Sequence, residues 1–163
     1  MAVGARPHAP RIASIISRRH WFNAFSNRTE MRGFENLPGM TSANQMFSSC
    51  TNLKSVSGLG NLGNVQSMRY TFSSCAFSTL DLRGFDPSHL TDLFYCFSGC
   101  GELTTILADS TRALPTSGIS GMQCFYNCKK LVGGNGTAWS SSNTNYTYMR
   151  IDRAGQAGYL TAA

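Results

Sequence analysis

Charge is scarce in this chain. Asp, Glu, Lys and Arg make up 13% of its 163 residues, well under the usual quarter of a globular sequence. With Ser, Thr, Asn and Gly plentiful instead, the surface is solvated by hydroxyls and amides, and a highly charged disordered tail is excluded. Long hydrophobic runs are also missing. Nothing approaches the roughly 18 consecutive apolar residues that read as a membrane span, and the segment Ile12 to Ile16 is too short and too polar for a signal-peptide core. The start as given is expected to carry no export signal and the end no anchor. That leaves either a soluble internal protein or a piece of something larger. At this length one domain or one repeat array is expected, with enough apolar content for a continuous core.

The formal net charge of +6 points to nucleic acid only until it is located. Arg6, Arg11, Arg18, Arg19, Arg28 and Arg32 all fall within the first 32 positions, opposed there by Glu30 alone. The remaining 131 residues carry eight basic and seven acidic side chains, a net of +1. A nucleic-acid surface concentrates its basic stripe on the folded body. Here the excess sits on residues 1–20, read as a poorly ordered basic lead-in, so no nucleic-acid partner is expected.

What the chain does have is internal repetition, the feature to seek first. Phe-x-x-Cys occurs at Phe47–Cys50, Phe72–Cys75, Phe97–Cys100 and Phe125–Cys128, with phenylalanines 25, 25 and 28 residues apart. A further step of 25 back from Phe47 reaches Phe22, with Phe25 in the cysteine position; "GFENL" at 33–37 matches "GLGNL" at 58–62 in the same phase. About five units follow. Within each, apolar residues lie four (Met68, Leu93) and seven (Met40, Val65, Leu90) positions before the phenylalanine, a spacing that predicts one face of a short helix. Thr41, Ser67 and Thr91 are candidate N-caps. After the cysteine come a leucine (Leu53, Leu103, Leu131) and a short β-like run such as "STLDL" or "LTTI", and Gly58 and Gly84 turn the chain onward.

The expected fold class is therefore an α/β repeat solenoid. It is a leucine-rich-repeat-like right-handed coil with one short strand and one short helix per ~25-residue unit, because a unit that small buries its apolar face only by stacking. The solenoid is assigned to residues 21–132 and a C-terminal cap to 133–163, where the pattern stops and Trp139, Tyr146, Tyr148 and Tyr159 appear among polar residues. The Phe97 unit is stretched by "LADSTRALPTSGISG", whose Pro115, Gly118 and Gly121 predict a loop.

Few residues invite chemistry. Cys50, Cys75, Cys100 and Cys128 share one repeat position, and Cys96 and Cys124 another. Buried thiols are the favoured reading, a disulfide between neighbouring units the second, and a metal site the least favoured, because no CxxC motif or nearby histidine accompanies them. His8, His20 and His89 are scattered, and His89 in "DPSHL" is read as solvated. Asp81, Asp86 and Asp92 fall in one unit only and are assigned to turns, Asp86 before Pro87 being a typical case. "GGNG" at 133–136 lacks the lysine of a phosphate loop. The tripeptides at 27–29, 135–137 and 145–147 match the N-glycosylation acceptor but are read as accidents of composition. No catalytic set, cofactor or metal is expected, and the chain is not read as an enzyme.

The units "TSANQMFSSCTNLKSV", "NVQSMRYTFSSCAFSTLDLRGFD" and "HLTDLFYCFSGCGELTTI" resemble the BspA-like leucine-rich-repeat surface proteins of bacteria. "WFNAFSNRTEMRGFENL" resembles their opening coil, and the segment from Lys129 to Thr161 resembles the one that often closes such arrays. Phe25 in place of cysteine, a unit one residue short at "CAFSTLDL", and "RIDRAG" without a glycine pair depart from the family pattern. The resemblance implies a cell-surface or secreted protein, a recognition or adhesion module that binds a host, matrix or cell-surface partner, whether extracellular protein or glycan.

Strand alternation gives the candidate binding face. With Leu80 and Leu82 inward, Thr79, Asp81 and Arg83 point out, and repeat alignment adds Ser55, Ser57 and Thr105. The other candidates are the aromatics Tyr70 and Tyr95 on the predicted helix side. The alternative to recognition is a structural spacer or stalk that projects another domain.

Overall fold

A computed structural model of the protein describes residues 29–32, 34, 39–115 and 117–163. The basic lead-in expected over 1–20, and Phe22 and Phe25 of the expected opening unit, lie outside the described residues.

Five short strands form: β1 (Glu30–Met31), β2 (Ser55–Val56), β3 (Thr79–Asp81), β4 (Thr105–Ala108) and β5 (Leu160–Ala162). They make two small parallel sheets, β1-β2 and β3-β4-β5. Glu30 pairs with Ser55, Thr79 with Thr105, and Ile106 with Leu160. Alternation along each strand sends Met31, Val56, Leu80, Ile106, Ala108 and Leu160 inward.

The expected α/β repeat solenoid is not what forms. Among the described residues there is no helix of seven residues or more, only two 3-10 turns at Leu59–Leu62 and Tyr146–Tyr148. Nor do the strands make one continuous ladder. β2 and β3 lie in different sheets, at the unit where Phe77 follows its cysteine by two residues rather than three.

The physical reason for the missing helix lies in the backbone of the Phe-x-x-Cys segments. Two positions in each unit take positive φ: Gln45, Tyr70, Tyr95 and Gln123 two residues before the phenylalanine, and Ser49, Ser74, Gly99 and Asn127 two after it. A residue in the left-handed region ends a right-handed helix. The hydrogen bonds match. Alternate N–H groups close three-residue turns within the unit (Met46 to Ala43, Ser48 to Gln45, Cys50 to Phe47), whereas those between them donate to the next unit (Gln45 to Arg69, Phe47 to Thr71, Ser49 to Ser73). The pattern recurs from Tyr70, Phe72 and Ser74 to Phe94, Cys96 and Ser98, and from Tyr95, Phe97 and Gly99 to Met122, Cys124 and Tyr126. Apolar residues at i, i+3 and i+4 thus face the core without a helix, because the i+3 turn also returns the chain to one side.

Between the turn segments and the strands lies one apolar core. Phe47, Phe72, Phe97 and Phe125 are buried and stacked, with ring centroids 5.3, 5.4 and 5.3 Å apart and planes within 8°. Phe34 closes one end of this column edge-on and Tyr159 the other. Near-parallel rings at these centroid separations fall within the range that favours aromatic pairs. The backbone ladder, which fixes one residue per layer, imposes the alignment.

Residues 133–163 fold onto the last unit. Trp139 Nε1 donates to the Phe125 carbonyl at 2.8 Å, Phe125 N–H donates to Thr144, and β5 occupies the sheet position beside β4. Asp152 holds this segment together. Buried beneath the Gly133–Thr137 loop, its carboxylate accepts from the N–H groups of Asn135, Thr137 and Gly158 and from the Thr137 hydroxyl. Gly133 is obligatory there, since a Cβ would lie 2.3 Å from the Gly158 carbonyl oxygen and 2.6 Å from Asp152.

Candidate functional site

The outward side of the strands carries the residues that alternation assigned to a binding face. Ser55, Ser57, Thr79 and Arg83 are exposed, and Asp81 and Thr105 are half-buried. Thr79 and Thr105 are register partners in one row; Asp81, Leu107 and Thr161 form the next. Ser55 and Ser57, in the other sheet, align instead with Glu30 and the segment beyond it. Parallel neighbours sit about 4.8 Å apart, so the Thr79 and Thr105 hydroxyls form one pair at that spacing. The Thr104 hydroxyl donates to Ser78 at 2.9 Å. That bond fixes one side chain at the edge of the strip.

The charge on this face is paired. Arg83 Nη2 lies 2.7 Å from Asp81 Oδ2, its Nε contacts both carboxylate oxygens, and the Arg83 N–H donates to Oδ1. The guanidinium holds the Asp81 carboxyl below the usual range, and Asp81 raises the Arg83 guanidinium in turn. Glu30 and Arg32 make the same i, i+2 pair at one side of the strip. At its other side Asp109 accepts from the Gly84 N–H and pairs with Arg112. The strip therefore presents hydroxyls and neutralised charge pairs, with no net field of one sign.

The turn side carries the second set of candidates. Tyr70 and Tyr95 stack with centroids 5.1 Å apart, Phe94 packs edge-on against both, and the Arg69 guanidinium lies 4.5 Å over the Phe94 ring while bonding Asp92 at 3.0 Å. These rings cover one another's faces, and Tyr70, Phe94 and Tyr95 are only partly exposed.

The remaining candidates for chemistry are occupied by structure. All six cysteines are buried, and no disulfide joins any two of them. In one column each thiol donates to the phenylalanine carbonyl of the preceding unit: Cys75 to Phe47 at 3.1 Å, Cys100 to Phe72 at 2.9 Å and Cys128 to Phe97 at 3.0 Å. Burial pushes the Cys100 thiol up to about 12 and raises Cys50, Cys75 and Cys128 as well. Thiols held neutral in this way are poor nucleophiles. Asp86 accepts from the Ser88 N–H in the turn expected of it, and the exposed His89 ring meets the Gly63 carbonyl at 3.1 Å. Among the described residues no three His, Cys, Asp or Glu side chains cluster as metal ligands, and no helix is long and apolar enough to cross a membrane.

Sequence reasoning missed Asp152. Its partners Asn135 and Thr137 lie 15 to 17 residues upstream in a glycine-rich loop and Gly158 six residues downstream, and the only available signal was that glycine density. In comparisons with known proteins, no family model, no curated protein and no solved structure matches the chain.

Proposed function

We propose that this protein is a non-catalytic recognition or adhesion module, displayed at the cell surface or secreted, that binds an extracellular protein or glycan through the outward side of its strands. The observation that carries this reading is the strip itself: Thr79 and Thr105 in register, Asp81 locked to Arg83, and the exposed Ser55 and Ser57 on the outward side of the other sheet. Aligned hydroxyls with neutralised charge complement a polar, largely uncharged ligand, since recognition then rests on hydrogen bonding and shape rather than on long-range steering. The resemblance of the Phe-x-x-Cys units to BspA-like surface proteins supports the same class of activity and the exported location. The buried, carbonyl-bonded thiols and turn-bound carboxylates support a non-catalytic role.

The test is binding of the purified chain to arrayed glycans and to immobilised matrix proteins, beside the double variant Asp81→Ala/Arg83→Ala and the single variant Thr79→Arg. A bound ligand lost at least tenfold in both variants, with unchanged circular dichroism, supports the reading. Binding that survives both but falls with Tyr95→Ala moves the site to the turn-side aromatics. Absence of any ligand favours the spacer.

A further inference from the structure

Cys96 and Cys124 differ from the other four cysteines. They occupy the position just before the phenylalanine, where the other units carry Met46 and Thr71, so this is the single place in that column where two thiols are neighbours. Both are fully buried. The backbone holds them at the separation of adjacent layers. The Phe97 N–H donates to the Cys124 carbonyl at 2.8 Å, and the rings of the next residues, Phe97 and Phe125, stack at 5.3 Å and 4°. Layers spaced by roughly 5 Å fall inside the 4.4–6.8 Å Cα window of a disulfide. In the other column each sulfur of Cys75, Cys100 and Cys128 is directed at a carbonyl oxygen instead.

We propose that Cys96 and Cys124 are an oxidation site, joined as a disulfide across the Phe97 and Phe125 units when the chain folds in the presence of a low-molecular-weight disulfide. One thiol loses its proton and attacks the oxidant's S–S bond, releasing one small thiolate and leaving a mixed disulfide on the protein. The second thiol, deprotonated in turn, attacks the protein sulfur of that mixed disulfide and expels the second small thiolate. Two protein thiols are oxidised, one small disulfide is reduced to two thiols, and the two protons end on those. Closure belongs to folding, because both native thiols are out of solvent. Once formed, the bond ties the stretched "LADSTRALPTSGISG" segment shut by linking the layers on either side of it. The inference stands on the geometry of the turn segments and does not depend on which face binds a partner.

The experiment refolds the full chain from denaturant in a glutathione redox buffer and, separately, in reductant, followed by non-reducing peptide mapping. The expected product in the redox buffer has one Cys96–Cys124 bond, four free thiols and a higher thermal midpoint than the reduced form. Cys124→Ala and Cys96→Ser should each fold with no disulfide and lose that difference in midpoint. A native oxidised product with six free thiols, or with a bond between any two of Cys50, Cys75, Cys100 and Cys128, overturns the proposal. So does an increase in midpoint that persists in Cys124→Ala.

Discussion

At the scale of single residues, the phenylalanine column and the Asp152 carboxylate do most to hold the structure. Phe72 has a ring on both faces and is fully buried, so Phe72→Ala should cost about 3–5 kcal/mol, the range of large-to-small core changes; urea unfolding followed by circular dichroism measures it. Burial pushes the Asp152 carboxyl up, but the bonds from Thr137, Asn135 and Gly158 outweigh that and hold it below the usual range. A depressed folded pKa means its contribution is present well above the unfolded value of about 3.9 and is lost as pH falls through the folded one. Asp152→Asn, which turns a donor amide toward these N–H groups, should cost about 1–3 kcal/mol at neutral pH and flatten that acid dependence. The thiols act in the opposite sense. Their folded pKa values are raised, so the stability they contribute is intact below the unfolded value of about 8.5. It falls by roughly 1.4 kcal/mol per thiol for each pH unit above that. Urea midpoints of the reduced protein should therefore drop steeply from pH 8.5 to 10, and a flat profile would remove the buried-thiol account.

At the scale of elements, the repeat spacing was legible but the conformation of each unit was not. Period and phase follow from which residues must share a layer, so the burial of Phe47, Phe72, Phe97 and Phe125 and the inward side of β3 could be read directly from Phe-x-x-Cys and "TLDL". The turn segments were misread as helix because apolar spacing of three and four is common to a helix and to successive tight turns. What separates them is positive φ at Tyr70, Ser74 and Tyr95, a conformation that ordinary side chains disfavour and that only the bonds to the next unit enforce. Gly99 shows the strain from the other direction: Gly99→Ala places a Cβ at φ +77° and 3.0 Å from the Ser74 hydroxyl. It should cost about 1–2 kcal/mol, against almost nothing for Gly101→Ala, where no atom stands within 4 Å. The candidate strip was legible because alternation in a strand is a simple rule. Its division between two sheets was not, since nothing in "CAFSTLDL" states that one missing residue interrupts the pairing. Exposed ion pairs contribute little to folding, so the Asp81→Ala/Arg83→Ala double variant should keep the wild-type melting curve.

At the scale of the whole molecule, consecutive units share the bonds of alternate turn N–H groups on one side, and on the other side parallel strand pairing that is interrupted between β2 and β3. Each layer has half its turn donors satisfied only by its neighbour, which couples the layers. Residues 133–163 continue this at the last layer, where the Thr144 carbonyl accepts from the Phe125 N–H and the Tyr146 N–H donates to the Gly121 carbonyl. NMR scalar couplings across hydrogen bonds, in uniformly 15N,13C-labelled protein, test this arrangement most directly. The account predicts couplings from the Phe47 N–H to the Thr71 carbonyl, from Phe72 to Cys96 and from Phe97 to Cys124. Couplings from those same amides to Ala43, Met68 and Leu93, four residues back within each unit, would mean that the segments are helices and would contradict it.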